Sequence, residues 1–441
     1  MTKAFAAKAD RRKKGNNIMK KIIKIAVSIL LDCALLAAIS SCGGDGEVTD
    51  GDGMIGDEEK ETRLTVWCAE NLVELTKKQL ADYNEENKTN VKFTVNPVGE
   101  GDAATNLLTD VTAGADVYCF SQDQLARLVQ AGALAPVSDA LRDKVRSEHD
   151  EGSVAAAEIG GTLYAFPLTS DNGYFMYYDK RVISDPAVLA DQTKLIEAVS
   201  AAGKTIAFEL LGSHWYGSSY FLGAGAESVW ETGEDGAFTS YNDTFGSDKG
   251  IIAAKGMAEL VASPVFVDSS SASSFTSGAA VVVAGTWEYE TAKQILGENL
   301  GCAPLWSYTV DGESYHLGSF SGNKLVGVKP QGDSKRAALC QSVAYFLSDK
   351  DRQEERFEAL GWGPSNREVQ MSEDVMSNEA LTALAAQNKH ATSQGQYPNA
   401  WWDTGKAIGA ALKQLGKTAP ATEEVRPILD TYTKGLEEII K

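Results

Sequence analysis

Two periods of hydrophobic spacing alternate along the chain from residue 64 onward. Short β-prone runs lie at 64–68, 91–95 and 116–120, and stretches with helical spacing lie at 71–84, 107–113 and 124–130. This order of strands and helices predicts an α/β fold in which helices cover both faces of a parallel sheet. Ligands bind beyond the carboxyl ends of the strands in such sheets. We therefore expect the segments after Cys68 and Phe120 to meet at one edge.

Similar elements recur in the second half of the chain. The glycine and proline residues around an aromatic strand at 174–180 indicate a crossing between two lobes. The remaining predictions are an α/β stretch at 204–303, with a helix end, a turn and a buried strand at 275–287, a serine-rich loop at 269–274, a strand at 325–328, a helix at 337–347, and mostly helical structure from 381 onward. The chain is long enough for two lobes rather than one.

The N-terminal segment has a different pattern. Lysines precede an apolar run at 25–39, and the small residues of Ile39-Ser40-Ser41-Cys42 follow. This order predicts a secretory signal over residues 1–42, with Met19 as the expected true start. Its end resembles the bacterial lipobox, in which the cysteine becomes the lipidated first residue of the mature protein; the alternative is a buried cysteine after a hydrophobic helix. Residues 43–60 are predicted to be a flexible tether, so the protein is expected at the extracellular face of the bacterial membrane.

Charge and composition exclude several classes of function. The net charge of −20 argues against nucleic acid or anionic membrane surfaces as partners. Beyond the N-terminal run, no stretch approaches the eighteen or so consecutive apolar residues of a membrane span. The four histidines are scattered and form no HExxH motif, and the cysteines show no CxxC spacing. We expect neither a metal nor another cofactor.

Four cysteines remain after the predicted signal and lipidation site. Cys68 and Cys119 each lie at the end of a predicted strand of the same sheet, so they are expected to be close together. In an exported protein they would form either a disulfide or two buried thiols. Cys302 and Cys340 are expected to be unpaired.

Three segments carry a resemblance to a known family. They are Gly161-Thr162-Leu163-Tyr164-Ala165-Phe166-Pro167 with Tyr177-Tyr178-Asp179-Lys180, the stretch from Phe275 to Trp287, and Gly318-Ser319-Phe320-Ser321-Gly322 with the strand and helix that follow it. Together they resemble the maltose/maltodextrin-type extracellular solute-binding proteins of ABC importers. The resemblance spans residues 60–440, but the tract after Glu209 and the segment 230–245 match no motif of the family.

The resemblance implies a type II periplasmic-binding-protein fold, with two α/β lobes joined by three crossings. The crossings are expected near 168–172, 317–321 and 362–366. The N-terminal lobe would then comprise 61–168 and 322–362, and the C-terminal lobe 172–317 and 366–441. The expected partners are an oligosaccharide and the membrane permease subunits of an ABC transporter, with the protein itself a monomer.

Aromatic residues beside glycine, serine or polar neighbours are candidates for stacking on a sugar, because a ring buries a large area at little entropic cost. They are Trp215, Tyr216, Trp287, Trp306, Trp401 and Trp402. The family places a stacking ring at the position of Trp287 and ligand contacts near Trp215 and Tyr216. Gly285 is expected to leave room for a ligand to approach the backbone. For each ring the alternative is a place in the core, which is the expectation for Trp67.

Polar residues at the strand ends are candidates for binding hydroxyl groups, because carboxylates and amides each serve more than one hydroxyl. Glu70 and Asn71 follow the first strand, and Asp123 and Gln124 follow the third. Asp171 lies where family members carry an acidic sugar contact. The alternative for these residues is a helix cap or a solvated loop charge.

Two hypotheses of function follow. The first is a lipid-anchored binding protein that captures an oligosaccharide, with a maltodextrin-type α-glucan favoured by the resemblance, for uptake by an ABC transporter. The alternative is an extracellular glycoside hydrolase that uses two carboxylates. The sequence shows no G-x-S-x-G motif, no Ser-His-Asp order and no metal motif, so a non-enzymatic binder is preferred.

Overall fold

A computed structural model describes residues 62–439. The predicted signal, the predicted lipidation site at Cys42 and the predicted tether lie outside the described residues. Within residues 62–439, no helix is both long and apolar enough to cross a membrane.

The elements of the described chain are as follows. The strands are β1 (Arg63–Cys68), β2 (Lys92–Pro97), β3 (Val117–Ser121), β4 (Glu158–Ile159), β5 (Thr162–Leu163), β6 (Ala165–Thr169), β7 (Phe175–Asp179), β8 (Thr205–Ala207), β9 (Ser228–Thr232), β10 (Phe238–Asp243), β11 (Phe266–Val267), β12 (Ala279–Ala284), β13 (Leu300–Ala303), β14 (Ser307–Val310), β15 (Glu313–His316), β16 (Ser319–Ser321), β17 (Lys324–Val328) and β18 (Ala391–Ser393). The α-helices are α1 (Val73–Asn87), α2 (Ala103–Thr109), α3 (Leu125–Gln130), α4 (Asp139–Glu148), α5 (Glu151–Ala156), α6 (Gln192–Ala201), α7 (His214–Gly223), α8 (Asp248–Val261), α9 (Tyr289–Leu296), α10 (Ser334–Ser348), α11 (Lys350–Leu360), α12 (Arg367–Gln370), α13 (Glu373–Ser377), α14 (Glu379–Gln387), α15 (Asn399–Leu415) and α16 (Thr422–Glu437). Short 3₁₀ helices lie at Glu70–Leu72, Gln122–Gln124, Pro186–Ala190, Ala272–Ser277, Thr286–Glu288, Gly297–Asn299 and Asn388–His390.

The first lobe is built on a five-stranded sheet with the order β2-β1-β3-β17-β6. The strands β1, β2 and β3 are parallel, as the sequence predicts, but β17 is antiparallel to both β3 and β6. The prediction of a purely parallel sheet is therefore wrong. The register pairs Lys324, where β17 begins, with Ser121, where β3 ends. The chain therefore enters β17 at the end of the sheet where β3 finishes.

The second lobe is built on another five-stranded sheet, with the order β11-β8-β12-β7-β13. Here β7 is antiparallel to both β12 and β13, and Phe175 at the start of β7 pairs with Ala284 at the end of β12. In each sheet, the strand that arrives from the other lobe therefore begins beside the end of a neighbouring strand. These strands are β17 beside β3 in the first sheet and β7 beside β12 in the second. Separate clusters of buried apolar side chains pack on the two sheets.

Three passages of the chain join the two sheets. The first lies between Thr169, where β6 ends, and Phe175, and the second precedes Lys324. The third comes later than the predicted 362–366, because residues up to Gln370 still hydrogen bond to the first lobe through Asp150. The helix α14 then packs in the core of the second sheet. We therefore place the third crossing after Gln370.

The register of the first sheet also places the cysteines. Trp67 pairs with Tyr118, so Cys68 and Cys119 are the next residues along the two neighbouring parallel strands. Both side chains are buried, and both are free thiols, as are Cys302 and Cys340. Of the two alternatives for Cys68 and Cys119, the structure shows the pair of buried thiols. Burial raises the pKa of the Cys68 thiol to about 11, which makes it a poor nucleophile.

Candidate functional site

A cleft with a volume of about 740 Å³ is lined by residues of both lobes. The first lobe contributes polar residues that follow its strands, among them Asn71, Glu100, Asp102, Ser121, Asp123, Gln124 and Arg127. The second lobe contributes aromatic and charged residues, among them Glu209, Ser213, His214, Trp215, Tyr216, Trp287, Trp402, Asp403 and Lys406. The lining is completed by Asn172, Lys324 and Gln394, which lie in or beside the crossings, and by Trp362, which belongs to the core of the first lobe.

Strand ends of the first sheet form one wall of the cleft. Ala69 directly follows β1, Ser121 is the last residue of β3, and both line the cleft. The predicted meeting of these two strand ends is therefore confirmed. The amide of Gln124 accepts from the backbone N–H of Ala104 at 2.8 Å and donates to the carbonyls of Glu100 and Gly101. Gln124 therefore fixes the loop that follows β2.

Asp123 is buried at the first-lobe wall of the cleft. Burial raises the pKa of its carboxyl group to about 6, although Arg127 and a hydrogen bond from Trp402 act in the opposite direction. Arg127 also donates to the side chain of Asn399 in α15. These contacts join helix α3 of the first lobe to helix α15 of the second.

Two aromatic residues, Trp215 and Tyr216, reach the cleft from the start of helix α7. The hydroxyl of Ser213 caps this helix by accepting from the N–H of Tyr216 at 3.4 Å. Tyr216 is almost fully buried, at 5 % exposure, whereas Trp215 is only partly buried. The indole N–H of Trp215 donates to Gln394 at 3.1 Å. Trp215 therefore offers more ring surface to a ligand than Tyr216 does.

Trp287 lies in the 3₁₀ helix that follows β12. Its ring is partly exposed, lines the cleft and lies 6.0 Å from the ring of Trp215 between centroids. A β-carbon at Gly285 would overlap the indole of Trp287. The expected use of Gly285 is therefore wrong in detail, because the space beside its backbone is filled by the Trp287 ring and not left open for a ligand.

The adjacent residues Trp401 and Trp402 have different environments. Trp401 is fully buried, stacks on Tyr397 at 4.2 Å and donates its indole N–H to Asp243 at 3.1 Å. Trp402 is partly exposed and lines the cleft. A buried ring in the core cannot stack on a ligand, so only Trp402 stays in the candidate site.

Three further predicted site residues do not line the cleft. Trp306 is fully buried, and its indole N–H donates to Gln192 at 2.9 Å, so it belongs to the core of the second lobe. Glu70 is exposed at the start of the first 3₁₀ helix. Asp171 is 1 % exposed, and its Oδ2 accepts from the N–H of Gly363 at 2.7 Å and from the hydroxyl of Thr286. Asp171 thus connects the first crossing to other segments beneath the cleft.

The structure adds cleft residues that the sequence analysis missed. Glu100 comes shortly after Pro97, where β2 ends, so the rule applied to β1 and β3 would also have indicated it. Lys324 begins the apolar strand β17, and nothing in the local sequence distinguishes it from a solvated lysine. Trp362 belongs to the buried apolar cluster of the first lobe, and the sequence analysis gave no role to its side chain.

The described residues contain no group of three or more His, Cys, Asp or Glu side chains that could hold a metal ion. Two of the histidines are deeply buried. His214 is packed 4.4 Å from the ring of Trp401, and burial lowers its pKa to about 3, so it is neutral at physiological pH. The site is therefore built from rings, carboxylates, amides and a few cations.

The sequence matches the family described as bacterial extracellular solute-binding protein over residues 78–383, more than half of the chain. The chain belongs to this family. It is 24% identical over 337 residues to a maltotriose-binding protein of Pyrococcus abyssi, covering 74% of this chain and 70% of that protein. It is 22% identical over 424 residues to a galactooligosaccharide-binding protein of Bacillus subtilis, covering 90% and 97% of the two chains.

Solved structures extend this similarity to the fold. A protein solved with acarbose superposes with a TM-score of 0.75 at 25% sequence identity, covering 87% of this chain and 100% of that one. A maltose-maltodextrin binding protein of Alicyclobacillus acidocaldarius superposes with a TM-score of 0.70 at 18% identity, covering 85% and 100%. The predicted two-lobed α/β fold and the predicted family are both confirmed.

Proposed function

We propose that this solute-binding protein captures an oligosaccharide between its two lobes and delivers it to the permease of an ABC transporter. One observation carries the proposal: a single cleft brings the partly exposed rings of Trp215, Trp287 and Trp402 together with carboxylates and amides. Rings bind the apolar faces of a sugar, and carboxylates and amides bind its rim of hydroxyl groups. The named ligands of the relatives, maltotriose and galactooligosaccharide, belong to the same chemical class.

The charges of the cleft favour a neutral ligand. Its carboxylates are Glu100, Asp102, Asp123, Glu209 and Asp403, and its cations are Arg127, Lys324 and Lys406. An anionic ligand would meet more carboxylates than cations, whereas a neutral sugar uses both kinds of group as hydrogen-bond partners. We therefore propose a neutral oligosaccharide, with a maltodextrin-type α-glucan as the first choice.

Capture is proposed to proceed by hinge closure. A ligand that contacts both walls of the cleft favours the arrangement in which both sets of contacts form, by the difference in its affinity for the two arrangements. Micromolar affinity corresponds to about −8 kcal/mol, and a few ring stacks with hydroxyl hydrogen bonds are enough to supply it. Lipid attachment through Cys42 would hold the protein beside the permease at the extracellular face of the membrane.

Calorimetry on the purified protein with maltotriose tests the proposal, and galacto- and xylo-oligosaccharides complete the panel. The expected result is saturable one-to-one binding of at least one neutral oligosaccharide, with a dissociation constant of about 1 μM or below. The same mixtures are analysed for shorter sugars after prolonged incubation. Absence of binding to the whole panel would contradict the proposal, and release of shorter sugars above background would favour the glycoside hydrolase instead.

A further inference from the structure

Lys324 is the most unusual charged residue of the cleft. It begins β17, lines the cleft and is 4 % exposed. Its ammonium group lies 3.7 Å from the ring centroid of Trp362 and 4.8 Å from that of Trp287. Two aromatic faces thus hold one cation at the base of the site, and they attract it through their π-electron density.

The ammonium group of Lys324 lacks a hydrogen-bond partner among the described residues. It forms a long ion pair with Asp171, whose Oδ1 lies 3.8 Å from Nζ, beyond hydrogen-bond distance. An ammonium group has three N–H donors, and burial removes the water that would otherwise satisfy them. A buried cation without hydrogen bonds is costly, so the site is built to receive acceptors from elsewhere.

Two buried carboxylates beside Lys324 also have free acceptor atoms. Oδ1 of Asp171 and Oε1 of Glu100 are both buried without a hydrogen-bond partner. Burial raises the pKa of Glu100, and the attraction of Lys324 opposes that rise, so the two charges are electrostatically coupled. Asp171 is held in place by Gly363 and Thr286 through its other oxygen. The base of the cleft and the layer beneath it thus contain two unsatisfied donor groups, the ammonium of Lys324 and the indole N–H of Trp362, and two unsatisfied acceptors.

We propose that Lys324 is a specificity-determining residue that donates a hydrogen bond to one hydroxyl group of the bound sugar, and that Glu100, which also lines the cleft, accepts a hydrogen bond from the same hydroxyl. A hydroxyl group suits this arrangement because it accepts one hydrogen bond and donates another. Lys324 donates to the hydroxyl oxygen, and the hydroxyl donates to the carboxylate. The inference rests on the proposed function and adds to it the residue that selects a hydroxylated, uncharged sugar unit at the base of the site.

The arrangement discriminates against two kinds of sugar unit. A deoxy sugar without the matching hydroxyl leaves the donor and the acceptors unsatisfied, which is the situation that discriminates most strongly in buried sites. A sugar acid brings its carboxylate beside Glu100 in the cleft and near Asp171 beneath it, so two negative charges repel it while only the ammonium group of Lys324 attracts it. Lys324 and the carboxylates beside it therefore disfavour both a sugar that lacks the hydroxyl and a sugar that carries a negative charge.

The test compares Lys324→Met with wild-type protein by calorimetry, with maltotriose as the probe. Methionine keeps the apolar stem against Trp362 and Trp287 and removes only the ammonium group. We expect the affinity to fall about tenfold or more, because a hydrogen bond to a charged group is lost. Lys329→Met, just beyond the far end of β17, is the matched control, because the ammonium group of Lys329 donates to the carbonyls of Thr112 and Gly114 and does not line the cleft.

A second measurement separates contact with the sugar from a purely structural role. Both proteins are titrated with a set of monodeoxy maltotrioses, which forms a double-mutant cycle. We expect one of the monodeoxy sugars to bind wild type as weakly as maltotriose binds Lys324→Met. That same deoxy sugar should bind Lys324→Met no more weakly than maltotriose does, because the hydrogen bond is already lost. Losses that simply multiply at every position would overturn the role of Lys324, as would wild-type affinity in Lys324→Met. No binding of maltotriose by wild type would instead overturn the choice of sugar in the proposed function.

Discussion

The indole of Trp287 occupies the space in which a side chain at Gly285 would lie. The ring is supported on this side by bare backbone, and it also lies near the ring of Trp215, the ammonium group of Lys324 and buried apolar side chains of the first lobe. Gly285 is thus a positioning residue, because it allows the ring to lie against the strand end while remaining partly exposed in the cleft. This relationship makes separate predictions for the two residues.

Replacing Trp287 with alanine is expected to weaken sugar binding without unfolding the protein. The ring is partly exposed and lines the cleft, and removing an aromatic contact from a desolvated site costs about 2 kcal/mol or more of binding free energy. The affinity should fall about thirtyfold or more, with a melting temperature close to that of wild type. Calorimetry and thermal unfolding of the same preparation check this. A large drop in melting temperature with near-normal affinity would show that Trp287 is a packing residue.

Trp306→Ala should have the opposite effect. Trp306 is fully buried, and its N–H bonds Gln192 in the core of the second lobe. Loss of a buried aromatic ring costs about 3–5 kcal/mol of unfolding free energy, whereas the sugar affinity of the folded fraction should stay within about twofold of wild type. Denaturant unfolding and calorimetry measure the two quantities. A strong loss of affinity with normal stability would return Trp306 to the binding site.

Gly285→Ala is expected to displace the Trp287 ring and reduce affinity about tenfold. The backbone of Gly285 has φ −95, which alanine adopts without strain, so the effect comes from the clash with the ring. Gly332→Ala is the control, since a β-carbon there meets open space and its φ is also ordinary. Tryptophan fluorescence should change in Gly285→Ala and remain unchanged in Gly332→Ala. Equal affinities for the two variants would contradict the positioning role.

His149 is expected to make stability dependent on pH. It is fully buried and its Nδ1 lies 2.9 Å from the hydroxyl of Ser365, and burial lowers its pKa from 6.5 to about 4. Between these values the unfolded chain binds a proton that the folded protein does not, so stability falls as the pH is lowered from about 6.5 to about 4. The contribution reaches about 1.4 kcal/mol per pH unit.

The variant His149→Gln should lose this contribution, so its unfolding free energy should depend less on pH than that of wild type over the same range. Denaturant unfolding at a series of pH values measures the difference. Identical slopes for His149→Gln and wild type would show that His149 does not titrate as its burial implies.

The N-terminal segment supports a prediction from sequence alone. If Cys42 is the lipidated first residue of the mature protein, Cys42→Ala should release the protein from the membrane fraction in soluble form. Membrane fractionation of cells that express the two proteins, followed by detection of attached lipid, checks this. Retention of the variant in the membrane fraction at the wild-type level would contradict the lipobox interpretation.

The sequence determined much of the fold by local patterning. The β-prone runs at 64–68 and 116–120 correspond to β1 and β3, and the buried run at 279–284 is β12. The predictions of β3 and β12 succeed because a strand buried on both faces must be apolar along almost its whole length. The prediction of β1 succeeds because its residues alternate between buried and less buried positions, which is the period of a strand with one covered face. The position of the cleft followed from the same reasoning, since strands of one sheet that run in parallel end at one edge.

The side chains that face the cleft are selected by contacts between distant segments, which the sequence does not show. Trp401 and Trp402 are adjacent on one helix, and the sequence cannot assign one to the core, because that depends on the packing of His214 and Tyr397 against Trp401. The direction of β17 depends likewise on where the chain returns from the other lobe. Lys324 is the clearest case: its burial between two rings and beside Asp171 arises from segments far apart in the chain. The sequence determines periodicity and local chemistry, whereas contacts between distant segments decide which polar groups are left unsatisfied for a ligand.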